Sequence, residues 1–264
     1  MIIKGKTVWI TGASSGIGEQ LVYTCARRGA KLIISSNQET ELNTVKKNCE
    51  KMGVECFVTP FDLSKPKEVN DAGIAVLEKF KSIDVLINNG GISQRATVVD
   101  TSMETIRKIM EINFMSAVTL SKLVLPGMIE NGTGVIAATS SITGKFGFPL
   151  RSAYAASKHA VLGFFETLRL ENKANNIQVT VAIPGRVQTD ISVNAVTGKG
   201  AVYGKMDDGQ SGGISAEDCA EQYIKAIEKN KKEVLIGGKE LMMVHIKRFF
   251  PALFNRMATK IKAT

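Results

Sequence analysis

Cysteine and histidine are scarce, with four of one and two of the other in 264 residues, and neither is arranged to hold a metal. Cys25, Cys49, Cys56 and Cys219 share no metal-ligand spacing and sit in apolar or helical settings, so reduced, buried thiols are expected and no metal site. His159 and His245 read as surface or packing residues. Long uncharged runs are lacking too: the longest, 131–144, is rich in glycine, serine and threonine, so no bilayer span is expected. Some six residues precede the first strand-like run, and no signal peptide is expected. Linkers and internal repeats are absent. A net charge of +9 raises the question of nucleic acid, but the excess is terminal: residues 239–264 hold Lys239, Lys247, Arg248, Arg256, Lys260 and Lys262 against Glu240 alone. No aromatic and basic pattern of a nucleic-acid module occurs elsewhere, and no nucleic-acid partner is expected.

What is present is a series of short apolar, β-branched runs at 7–10, 31–35, 54–58, 84–88, 134–139, 177–183 and 233–236, alternating with helical stretches. Strands separated by helices imply a parallel sheet covered on both faces, an α/β, doubly wound, Rossmann-like single domain. We place this domain at 1–238 and a basic amphipathic tail at 239–264. In the tail, Leu241, Met242, Met243, Phe249, Phe250, Leu253 and Phe254 interleave with the basic residues, and Pro251 interrupts the helix. Such a tail either closes a pocket or a subunit interface, the favoured reading, or lies on an anionic membrane surface.

The first strand runs into Thr11-Gly12-Ala13-Ser14-Ser15-Gly16-Ile17-Gly18 and then an amphipathic stretch. A strand, a glycine turn and a helix amino terminus form an anion site, because backbone N–H groups and the positive end of the helix dipole face a pyrophosphate. Further on, Tyr154 and Lys158 lie four apart, on one helix face, with Ser141 thirteen residues before Tyr154. A tyrosine has a pKa near ~10, and an adjacent cation is expected to lower it towards the range where a general acid works.

These motifs resemble the short-chain dehydrogenase/reductase family, with Thr-Gly-x-x-x-Gly-x-Gly in the first turn and Tyr-x-x-x-Lys in the catalytic helix. Its other signatures fall in order between about Lys6 and Gly238: Asp62, Asn88-Asn89-Gly90-Gly91, Asn113, Ser140-Ser141, and Pro184-Gly185 with Thr189. The segments 88–95 and 151–160 look like the branch of membrane-associated retinal, steroid and carbonyl reductases. Gly90 departs from the alanine of many members, and the second glycine is expected only to loosen the turn.

The resemblance implies a nicotinamide dinucleotide bound by Gly12, Ser14, Ser15, Gly16, Ile17 and Gly18 at the phosphates, and by Asp62 and Leu63 at the adenine. Asn89, Gly90 and Gly91 follow at the ribose, and Tyr154, Lys158, Pro184, Gly185, Val187 and Thr189 complete the set. Ser36 and Asn37 stand where relatives choose between NAD and NADP; neither repels a 2′-phosphate, which tilts the reading to NADP. Tyr154 would donate the proton, Ser141 hold the carbonyl oxygen, Lys158 bind the ribose, and Asn113 hold a relay water. Ser140 should point away by strand alternation. The expected reaction interconverts a carbonyl and an alcohol on an apolar small molecule. The alternative is a catalytically idle dinucleotide-binding redox sensor or scaffold. The resemblance also implies a homodimer or homotetramer through helices near 103–130 and 152–173. A cytoplasmic location is expected, with the tail as its one route to a membrane surface.

Overall fold

Along each strand, alternate side chains enter opposite layers, as the period of two requires. Val8 and Ile10 join one buried cluster with Leu32, Ile34, Val85, Ile87, Val135 and Ala137. Trp9, Ile33, Leu86, Ile136 and Ala138 point into the other. The structure, a computed structural model, describes residues 2–258, with Asp208 described by its main chain only. Lys260 and Lys262 of the tail lie outside the described residues.

The strands are β1 (Thr7–Thr11), β2 (Lys31–Ser35), β3 (Cys56–Val58), β4 (Val85–Asn88), β5 (Gly134–Thr139), β6 (Ile177–Pro184) and β7 (Glu233–Ile236). They form one parallel sheet in the order β3-β2-β1-β4-β5-β6-β7. The expected run from 54 begins two residues late. Gly53 takes a φ of +74°, and Val54 N–H donates to the Cys49 carbonyl to close the preceding helix, so pairing starts at Cys56.

Helices α1 (Gly16–Arg27), α2 (Glu39–Lys51) and α8 (Ala216–Glu228) cover the first face, and all four cysteines are buried free thiols beneath them. The second face carries α3 (Pro66–Phe80), α4 (Met103–Met110), a π-helical turn Glu111–Met115, α5 (Ser116–Glu130) and α6 (Ser152–Glu171). A short α7 (Asp208–Ser211) lies in the connection after β6, and α9 (Met242–Phe249) and α10 (Pro251–Ala258) end the described chain. Strand order reverses between β1 and β4, and in a doubly wound sheet the crevice at the carboxyl ends there is where a ligand fits.

The continuous helical run Met103–Glu130 is long and apolar enough, by length and composition, to cross a bilayer. A search for charge-free stretches passes over it because Lys122 interrupts the sequence. Its apolar side has a use within the fold: Ala117, Leu120, Val124 and Met128 are buried in the second core cluster.

Candidate active site

At the carboxyl ends of β1, β4, β5 and β6 lies a cleft of about 1330 Å³. Every site residue expected from the sequence lines it except Asn113, which stands behind the wall on the π-helical turn.

The turn after β1 shows why glycine is needed. Gly12 and Gly16 have φ of +62° and +57°, in the left-handed region. A Cβ on Gly18 would stand 1.8 Å from the Gly12 carbonyl oxygen, so the start of α1 can pack against the turn only without one. Gly90 is glycine for a related reason. A Cβ there would meet Leu63 Cδ1 at 2.4 Å and Gly12 N at 3.3 Å. The residue admits a close approach of Leu63 to the β1 turn.

Asn89 ties three strand ends together. Its Nδ2 donates to the carbonyls of Thr11 (3.3 Å) and Gly12 (3.4 Å), and its Oδ1 accepts from Thr139 Oγ1 (3.2 Å). At the end of β2 the cleft wall is neutral. Ser36 Oγ lies 2.9 Å from Ser14 Oγ and accepts from Gln38 N, while Ser14 donates to Gln38 Oε1 at 2.8 Å. Gln38 thus belongs to this corner with Ser36 and Asn37, although nothing in the β2 pattern singled it out.

Tyr154 and Lys158 sit on the first two turns of α6, both buried. Lys158 Nζ donates to the Thr139 carbonyl at 2.8 Å and lies 5.7 Å from the centre of the Tyr154 ring. Burial pulls the ammonium down to about 8. The Ser141 hydroxyl is in hydrogen-bonding contact with the Tyr154 phenol, and Ser140 turns away to donate to the Lys158 carbonyl at 2.8 Å. The electrostatics differ from the expected picture. Burial raises the Tyr154 pKa above its usual value, and the groups that oppose this are Ser141, Arg151 and Arg95. The lysine four residues on is directed at Thr139 instead, so the nearby cations felt by the phenol are arginines.

Asn113 is held on both sides. Its Oδ1 accepts from Ile92 N (2.8 Å), and its Nδ2 donates to Ile92 O (3.0 Å) and Ser157 Oγ (3.0 Å). A Cβ added to Gly91 would lie 3.0 Å from Asn113 Oδ1 and 3.3 Å from Lys158 Nζ, so both polar atoms crowd this glycine and lie close to one another. The π-helical turn that sets Asn113 is a distortion common at functional sites.

A charged cluster also escaped the sequence reading. Arg95, Arg151 and Asp207 are buried together on the cleft wall. Arg151 lies three residues before Tyr154, a helical i, i+3 spacing that could have flagged it. Gln94, also missed, caps α6: its Oε1 accepts from Ala153 N (2.8 Å) and Tyr154 N (3.3 Å).

The tail reaches the same cleft. Lys239, Glu240 and Met243 line it, Glu240 accepts from Arg186 N (2.8 Å) and Gly238 N (3.0 Å), and Phe254 packs on Phe146 with ring centres 5.1 Å apart.

A parallel sheet whose crevice joins a glycine turn to a buried Ser-Tyr-Lys group is the arrangement of a nucleotide-dependent oxidoreductase, and comparison with known proteins agrees. A family model described as short chain dehydrogenase matches residues 6–200. The mouse protein "Dehydrogenase/reductase SDR family member 7B" is 40% identical over 97% of this chain and 80% of its own length. Among solved structures, a short chain dehydrogenase/reductase from Burkholderia phymatum in complex with NAD covers 100% of this chain and 98% of its own, with a TM-score of 0.84 at 22% identity. An alcohol dehydrogenase from Thermococcus sibiricus complexed with 5-hydroxy-NADP has a TM-score of 0.76 at 25% identity, covering 89% of this chain and 97% of its own. The chain belongs to the short-chain dehydrogenase/reductase family, and it is an oxidoreductase.

Proposed function

We propose that the protein reduces a carbonyl to an alcohol, or runs the reverse reaction, with a nicotinamide dinucleotide. The observation that carries this reading is the convergence of Ser141, Tyr154 and Lys158 on one cleft that also ends at the glycine turn of β1. The residues fit the cofactor: Gly12, Gly16 and Gly18 clear a path to the amino terminus of α1, where main-chain N–H groups favour phosphate. Similar structures hold NAD or an NADP derivative. Bound here, such a cofactor supplies a hydride.

The chain's own residues handle the oxygen and its proton. Ser141 holds the carbonyl oxygen by donating a hydrogen bond, and Tyr154 gives its phenolic proton to that oxygen as negative charge develops on it. Burial keeps the phenol protonated until then. Arg151 and Arg95 favour the phenolate left behind, Lys158 is placed by the Thr139 carbonyl to bind the nicotinamide ribose, and Asn113, close to Lys158 across Gly91, is the residue to hold a water that relays the proton to solvent. Ser36, Asn37 and Gln38 present no carboxylate to a 2′-phosphate, which supports NADP over NAD. The alternative of an idle sensor or scaffold has less support, because binding a dinucleotide alone calls for no buried Ser-Tyr-Lys group.

The four reduced, buried thiols suit a cytoplasmic setting. Pocket closure by the tail is supported by Phe254 and Met243, and contact with an anionic membrane by its other side, where Met242, Phe249, Phe250 and Leu253 are exposed among Lys247, Arg248 and Arg256. Two-fold assembly through α5 and α6 is part of the same proposal. A panel of carbonyls and alcohols with NADPH, NADH and the oxidised cofactors, followed at the nicotinamide absorbance, tests the reaction. Turnover is expected with NADPH and a carbonyl; cofactor binding without any turnover would favour the sensor.

A further inference from the structure

Two guanidinium groups and one carboxylate share a buried corner of the cleft. Arg95 donates through Nε (3.1 Å) and Nη2 to the two oxygens of Asp207, and through Nη1 to Ser93 Oγ (2.8 Å) and the Gln94 carbonyl (2.6 Å). Arg151 donates through Nη2 to Asp207 Oδ2 at 2.7 Å and through Nη1 to the Pro149 carbonyl at 3.4 Å, and its guanidinium stacks on Phe148. The three residues are 6%, 9% and 6% exposed. Their charges leave one positive charge over, and among the described residues no second carboxylate pairs with either arginine. Burial, and then the neighbouring Arg95, push the Arg151 pKa down to about 10.

A buried cation short of a counter-charge is unfavourable, and an incoming anion relieves it. Arg95 has four of its five N–H groups engaged, whereas Arg151 uses only two, so the open donors belong to Arg151. It sits one helical turn before Tyr154, and both line the cleft. The wall beyond is apolar, with Ile142, Phe146, Phe148 and Met243. Arg186, Lys239, Asp190 and Glu240 also line the cleft and together add no net charge.

We propose that Arg151, backed by Arg95, is a subsite for an anionic group on the substrate, a carboxylate or a phosphate monoester, joined by an apolar segment to the carbonyl that meets Tyr154. This deepens the reductase reading and rests on it for the position of the carbonyl. Arginine forks suit both oxyanions, and Asp207 holds the fork in place.

The test separates binding from turnover. Octyl phosphate, octanoate and octanol are titrated into the full-length protein by calorimetry. In parallel, straight-chain oxo-acids are compared with their methyl esters, and hydroxyketone phosphates with the free hydroxyketones, as substrates with NADPH. At least one anion should bind about tenfold or more tightly than octanol, since a charge-assisted hydrogen bond is worth that much. The better of the two anions identifies the headgroup. The preference should disappear in Arg151→Met and persist in Arg151→Lys, with melting curves confirming that both variants fold. Octanol binding as tightly as both anions to the unmodified protein, or no binding of either anion, overturns the subsite. Anion preference that depends on Arg151, without turnover of any carbonyl, would uphold the subsite and overturn the reductase reading. Equal turnover of neutral and charged carbonyls would do the reverse.

Discussion

Lys158 aims its ammonium at the main-chain oxygen of Thr139, 2.8 Å away, and so fixes the second turn of α6 to the end of β5. The same Thr139 side chain donates to Asn89 at the end of β4. The cation is therefore placed by two strand ends, and its burial lowers its pKa to about 8.

A pH dependence follows. A lysine with a depressed pKa is charged below about 8 and neutral above it, whereas the Tyr154 phenol, raised by burial, stays protonated across that range. Carbonyl reduction should thus hold level below pH 8 and fall above it as Lys158 loses its proton. Lys158→Arg, which stays charged, should move that alkaline limb upward in kcat/KM profiles. A limb unchanged by this substitution would remove Lys158 from the pH response.

Cofactor choice should respond at the end of β2. Ser36 accepts from Gln38 N and adjoins Ser14, so a carboxylate placed there would face a 2′-phosphate with no cation among these neighbours. Ser36→Asp should weaken NADPH by roughly tenfold or more while sparing NADH, and Asn37→Arg should strengthen NADPH. Dissociation constants measured by fluorescence titration decide it. Unmodified protein that binds NADH tenfold more tightly than NADPH would contradict the lean to NADP.

Removing the chain after Gly238 should act on the cleft. Phe254 is 4% exposed against Phe146, and losing its burial costs about 2 kcal/mol, enough to lower Tm by roughly 4–8 °C. The Michaelis constant should rise in lipid-free solution because Met243 leaves the wall. If exposed Phe249 and Phe250 also contact membrane, sedimentation with anionic vesicles should be lost on truncation and weaken with salt in the intact protein. Unaltered melting and kinetics after truncation would count against pocket closure.

Most of the architecture was legible because parallel strands buried on both faces leave plain β-branched runs, as in Leu32-Ile33-Ile34. The glycine turn and the Tyr154–Lys158 spacing were legible because local geometry fixes what they can do. Arg95, Arg151 and Asp207 were not: they come from three distant segments, and only the fold brings residues 95 and 207 together. The rise in the Tyr154 pKa was hidden for the same reason, since spacing reports neighbours along a helix and says nothing of desolvation. The contact of Gly90 with Leu63 was hidden as well, since the two lie in separate segments.

The most direct test of the central claim is single-turnover and steady-state reduction by Tyr154→Phe beside its NADPH affinity. The ring keeps its place in the buried wall while the ionisable hydroxyl is removed. Turnover should drop by at least ~10²-fold with the cofactor dissociation constant little changed. Near-normal turnover in this variant would contradict the assignment of Tyr154 as the acid.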